Sequence, residues 1–125
     1  NERRNLKLYS ERFLDHFQHP RNVGELGPPA ETVEVSNPAC GDILRLSVRW
    51  EDGRVAQASY KVRGCTASIA AGSALTVWLT GRTRDQLGEL RASDIEEEIG
   101  ELKPESKHAA VLCLDAVKEL LRGRR

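Results

Sequence analysis

Cys40-Gly41-Asp42 sets a thiol and a carboxylate two residues apart, just after Asn37-Pro38, a pair that favours a turn over continued helix. Gly41 permits an unusual backbone conformation or the close approach of a bound group, so both side chains can converge on one ion. The same three residues also describe a buried loop cysteine beside a turn aspartate. Cys65 follows Gly64 at the expected mouth of a helix. Free N–H groups and the helix dipole stabilise a thiolate there, the form that ligates metals and attacks sulfur; an inert packed thiol is the rival reading. His108 falls in the first turn of the expected last helix, as a ligand or as a surface or capping residue. Cys113 lies on that helix's apolar stripe, four residues or about 6 Å beyond Ala109. It reads as a small core residue, or as a ligand if the site is displaced along the helix. His16 and His19, close to the N-terminal end, are weaker ligand candidates still and read as surface or capping residues. The gaps between the cysteines match no compact zinc-finger spacing. A Cys65–His108 nucleophile–base pair is conceivable, but no oxyanion feature accompanies it.

These residues must be positioned by elements that the pattern makes legible. Residues 1–7 are polar and read as disordered. A short amphipathic helix with Leu8, Phe13, Leu14 and Phe17 on one side must end before Pro20, and residues 21–29 read as a loop. Three runs then alternate with period two: Val33 and Val35; Leu44, Leu46, Val48 and Trp50; Ala56, Ala58, Tyr60 and Val62. Each has one apolar and one polar face, which suits an antiparallel sheet. Asp52-Gly53 between the second and third is a hairpin turn. Residues 66–80 form a helix rich in Ala, Ser and Gly that stops at Gly81. Short helical turns follow around 84–90 and 94–99. The last helix begins near Pro104 or Ser106, with Ala109, Leu112, Cys113, Ala116 and Leu120 at three- and four-residue steps. Strands followed by helices predict an α+β fold: a three-stranded antiparallel sheet, helices packed on one face, and a long C-terminal helix.

The 125 residues suit one domain spanning 1–125. Hydrophobic residues at 39% and a net charge of zero give no broad attraction to nucleic acid or anionic membrane. The basic end Arg122-Gly123-Arg124-Arg125 reads as a fraying terminus. No apolar stretch approaches a membrane span and no signal-peptide pattern is visible, although a chain starting at Asn1 reads as trimmed. Three scattered cysteines do not make a disulfide framework, so reduced or metal-bound thiols in a cytoplasmic setting are expected.

Several motifs in order extend this reading. Asp15-His16 with Pro20-Arg21-Asn22-Val23-Gly24, Asn37-Pro38-Ala39-Cys40-Gly41-Asp42, and Gly64-Cys65 before a small-residue helix closely resemble the IscU-like scaffold family, which also forms the N-terminal domain of NifU. The likeness runs from about Tyr9 to Leu121. It implies an IscU/SufE-like fold and a non-enzymatic scaffold that takes sulfur from a cysteine desulfurase, combines it with iron, and passes the cluster to recipient apoproteins. By the same resemblance Cys40, Asp42, Cys65 and His108 would hold a 2Fe-2S cluster, or zinc when the cluster is absent. Two positions depart from the family pattern. Ala109 stands where relatives carry a third cysteine, which leaves Cys113 as a possible replacement ligand. In residues 102–106 only Leu102 and Pro104 remain of the Leu-Pro-Pro-Val-Lys sequence read by a dedicated Hsp70-type chaperone, so that docking is not expected. A divergent zinc-binding homologue, docking on the desulfurase without building clusters, is the alternative.

Overall fold

The turn at Asp52-Gly53 takes the conformation its two residues favour, with φ of +54° at Asp52 and +78° at Gly53. Consecutive left-handed residues match the twist of the strands they join. Those strands are β2 (Asp42–Glu51) and β3 (Arg54–Arg63); β1 (Glu31–Asn37) pairs antiparallel with the other side of β2, giving the order β1-β2-β3. The computed structural model describes residues 10–39 and 41–123. The stretch 1–7 expected to be disordered, and Leu8, Tyr9, Cys40, Arg124 and Arg125, lie outside the described residues.

Leu44, Leu46 and Val48 of β2 and Ala58 and Tyr60 of β3 point into the core. The opposite face carries exposed Glu34, Arg45, Lys61 and Arg63 around the buried hydroxyls of Ser47 and Ser59, which are direct cross-strand partners. One inward position differs from the expected alternation. Arg49 faces Gln57 but Trp50 faces Val55, so Ala56 is the extra residue of a β-bulge. The slip turns Val55 fully inward and leaves Ala56 half-buried.

Five helices complete the described fold: α1 (Glu11–Gln18), α2 (Thr66–Leu79), α3 (Arg84–Leu87), α4 (Ala92–Ile99) and α5 (His108–Arg122). Pro104–Ser106 is a separate 3-10 turn, so the last helix starts at His108, a little later than the sequence suggested. Helix α2 packs on β3, and α5 packs on β1 and β2, side by side on the apolar face of the sheet.

Helix α2 is enclosed on nearly all sides, by β3, α1, α4 and α5. This explains its run of small residues: neighbours approach too closely for large ones. Tyr60 lies across Gly72 and donates its hydroxyl proton to the Ile69 carbonyl at 2.7 Å. A Cβ on Gly72 would sit 2.4–2.5 Å from two carbons of that ring.

The chain before the sheet is strapped to the same helix. Ser73 Oγ lies 2.7 Å from His16 Nδ1 and accepts the Arg21 N–H at 2.8 Å, while Asn22 donates its side-chain amide to Thr76 Oγ1 at 3.0 Å. Beyond that, Gly24 N–H reaches the Tyr60 carbonyl and Tyr60 N–H the Asn22 carbonyl, so residues 22–24 cover part of the outer edge of β3. His16 is therefore only 4% exposed, a buried tie between helices rather than the surface or capping residue its position suggested.

Replacing Gly72 by Ala will destabilise the fold by about 1–3 kcal/mol through overpacking against Tyr60. The urea unfolding midpoint measures it, and an unchanged midpoint would show that the ring has room to yield.

Candidate metal centre

The β1–β2 turn fixes the first component. Gly41 has φ of +78° and donates its N–H to the Asn37 carbonyl at 2.7 Å, while Asn37 Oδ1 accepts the Ala39 N–H at 2.9 Å. The turn delivers Asp42 as the first residue of β2, paired with Asn37. Two-residue periodicity then puts Asp42 on the same face as Leu44, Leu46 and Val48, and it is 5% exposed at the end of that apolar stripe.

The second component comes from the junction of β3 and α2. Cys65 is the N-cap of α2 in extended conformation, and its side chain makes no capping hydrogen bond. No acidic residue occupies that helix's first turn. The missing negative charge is supplied from the neighbouring strand, because Asp42 accepts hydrogen bonds from the Cys65 backbone and from the Ser68 hydroxyl.

His108 opens α5, with its side chain 26% exposed. Its place is set by Lys107, whose ammonium pairs with Glu96 of α4 at 2.9 Å; Glu96 also accepts the Leu102 N–H at 3.2 Å.

The three side chains meet at one point. Cys65 Sγ is 3.4 Å from Asp42 Oδ2 and 3.5 Å from His108 Nε2, and His108 Nε2 is 3.5 Å from Asp42 Oδ2. Tetrahedral zinc with ordinary Zn–S, Zn–N and Zn–O bonds needs its donor atoms about 3.4–3.6 Å apart. The observed triangle matches that spacing without rearrangement, and thiolate, imidazole and carboxylate are a donor set for zinc or iron. Cys65 is exposed, so the triangle is open on the solvent side.

The ionisation of Asp42 reflects its setting. Burial works against the charged form, but hydrogen bonds from Ser68, the Cys65 thiol and the Cys65 backbone, together with His108, outweigh it. The carboxyl is held below its ordinary value of 3.8.

Of the residues proposed from the sequence, Asp42, Cys65 and His108 are brought together. Cys40 lies outside the described residues. Cys113, considered as a replacement ligand, is not part of this group. It is 1% exposed within the core, and burial pushes its thiol up to about 12, too high to supply a thiolate at neutral pH. Ala109 is buried beside the start of α5. Sequence reasoning overlooked Ser68, whose hydroxyl bonds Asp42, and the packing role of Gly64, whose Cα lies against the same carboxylate. The available signal was a Ser three residues after Cys65, indistinguishable from the other small residues of α2.

The chain matches the family model described as NifU-like N terminal domain over residues 8–122. It is 39% identical over 114 residues to the iron-sulfur cluster assembly scaffold protein IscU of Haemophilus influenzae, covering 88% of this chain and 90% of that protein. It is 38% identical over 120 residues to the iron-sulfur cluster assembly enzyme IscU of Drosophila melanogaster, covering 93% and 77%. Among solved structures, a NifU-like protein (N-terminal) from Brucella abortus superposes with a TM-score of 0.73 over 94% of each chain; at 21% identity the likeness concerns the fold.

Two measurements test the geometry. Iodoacetamide at neutral pH will modify Cys65 in the native protein and spare Cys113 until denaturant is added, as read by peptide mass spectrometry. Equal labelling of both would contradict the core position of Cys113. Because the Asp42 carboxyl is lowered by folding, its contribution is present above the ordinary carboxylate value and is lost as pH falls through the lowered one. Asp42→Asn will therefore flatten the acid limb of the stability–pH profile; an unaltered limb would refute this.

Proposed function

The chain belongs to the NifU-like N-terminal domain family, and from that premise we propose that it is a scaffold for iron–sulfur cluster assembly. It receives sulfur from a cysteine desulfurase, combines it with iron, and transfers the cluster to recipient apoproteins. One observation carries the assignment to this site: three donor atoms from three separate elements stand 3.4–3.5 Å apart at an exposed edge of the fold. Cys65, Asp42 and His108 form three corners, and Cys40, two residues before Asp42 in the sequence, is the fourth ligand of this proposal. The cargo is a 2Fe-2S cluster.

Mixed ligation suits a carrier. Thiolates hold iron firmly, whereas a carboxylate is a harder and poorer partner for a sulfide-rich cluster, which favours eventual release. The chain acts as a scaffold rather than an enzyme, in a cytoplasmic setting and as a single domain. The relatives from Haemophilus influenzae, Azotobacter vinelandii and Escherichia coli carry the name scaffold protein, although the Drosophila one is called an enzyme. Docking of an Hsp70-type chaperone at residues 102–106 is not expected, because only Leu102 and Pro104 of the recognition sequence remain there.

A second reading, a zinc-holding module that docks on the desulfurase without building clusters, draws support from Ala109 at the family's third cysteine position and from the zinc-like donor spacing. Anaerobic incubation with ferrous iron, sulfide and reductant separates the two. Scaffolding predicts a visible charge-transfer spectrum that is lost in Cys40→Ala/Cys65→Ala. Stoichiometric zinc by elemental analysis with no such spectrum would favour the second reading, and retention of colour by the double variant would remove the site from the first.

A further inference from the structure

We propose that Ser68 is a positioning residue of this centre. Its hydroxyl, bound to Asp42 Oδ2, determines which carboxylate oxygen faces Cys65 and His108, and so how tightly a soft cation is held. The inference rests on the reading of Asp42, Cys65 and His108 as a metal centre and adds a residue to it.

Ser68 stands in the first turn of α2 and is 2% exposed. Its backbone N–H is engaged by the Cys65 carbonyl at 3.0 Å, which leaves the hydroxyl free for the neighbouring strand. That hydroxyl donates to Asp42 Oδ2 at 2.5 Å and lies 3.5 Å from Cys65 Sγ. A hydroxyl has a single proton, so donating it to Asp42 fixes the orientation of the bond. The carboxylate also abuts Gly64: a Cβ there would fall 2.5 Å from Asp42 Cγ and 2.7 and 2.8 Å from its two oxygens. The carboxylate is thus in contact with both a hydroxyl and a bare Cα, with Oδ2 turned to the donor triangle. A neutral hydroxyl is a poor ligand for soft cations, so Ser68 supports the ligand rather than replacing it. Outer partners of this kind typically change metal affinity by about 10–100-fold.

The test uses the full chain with zinc(II), competed against a chromogenic chelator, and with cobalt(II), read by its visible absorption. Ser68→Ala is expected to weaken zinc binding about 10–100-fold and to shift the cobalt bands. Ser68→Thr, which keeps the hydroxyl, restores both. Parent-like affinity and spectrum in Ser68→Ala would overturn the proposal, as would a loss that Ser68→Thr fails to restore in a protein with the parent's metal-free urea midpoint. Should Ser68→Ala fail to fold, Gly64→Ala displaces the same carboxylate and must produce the same loss; unchanged affinity there also overturns it. If the parent binds neither zinc nor cobalt, the metal-centre reading itself falls.

Discussion

A carboxylate at the start of a strand, buried against the N-terminus of a helix, is the constraint around which this fold is arranged. Taking an ion out of water costs several kcal/mol unless partners replace its hydration. Asp42 is compensated from three directions: the N-terminus of α2 with the Ser68 hydroxyl, the Cys65 thiol, and the His108 imidazole. The first two come from the β3–α2 junction and the third from the start of α5, so the charge is tolerated only when β2 and both of those are in place. The interactions that make Asp42 bearable also align three donor atoms. Stability and metal-binding geometry therefore draw on one set of contacts.

The arrangement needs a helix that can be approached closely from every side. Small residues along α2 let Tyr60 lie over Gly72 and let the segment around His16, Arg21 and Asn22 bond to Ser73 and Thr76. The Asp15-His16 and Pro20-Arg21-Asn22-Val23-Gly24 motifs are thereby explained as structure. They anchor the N-terminal segment to the helix whose first residues build the site and to the edge of β3, without contributing a ligand. Rigidity behind the site coexists with openness in front of it, where Cys65 is exposed. That contrast fits a group which must be held and later given up.

Much of the architecture could be read from the residues alone. Period-two alternation marked three strands, Asp52-Gly53 marked their hairpin, and three- and four-residue spacing marked the last helix. Local patterns succeed where one face is buried and the other wet, because side-chain direction then follows chain position. They failed at Val55, where the bulge at Ala56 slips the register, and at His16, whose burial depends on a helix more than fifty residues away in sequence. The start of α5 was also placed early, since a 3-10 turn and an α-helix share the same local preferences for Pro and Ser.

For the site, residue types and motif order sufficed to nominate Cys40, Asp42, Cys65 and His108 and to suggest a chemistry of soft-metal binding. Spacing along the chain could not say whether they meet, nor choose between core and site for Cys113. Folding resolved Cys113 by enclosing it among apolar side chains, where its thiol stays protonated. It also brought in Ser68 and Gly64, whose contacts with Asp42 cross from one strand to the next strand–helix junction. Such contacts carry no local signature, because a hydroxyl or a bare Cα acquires its role only from what the packed chain sets against it.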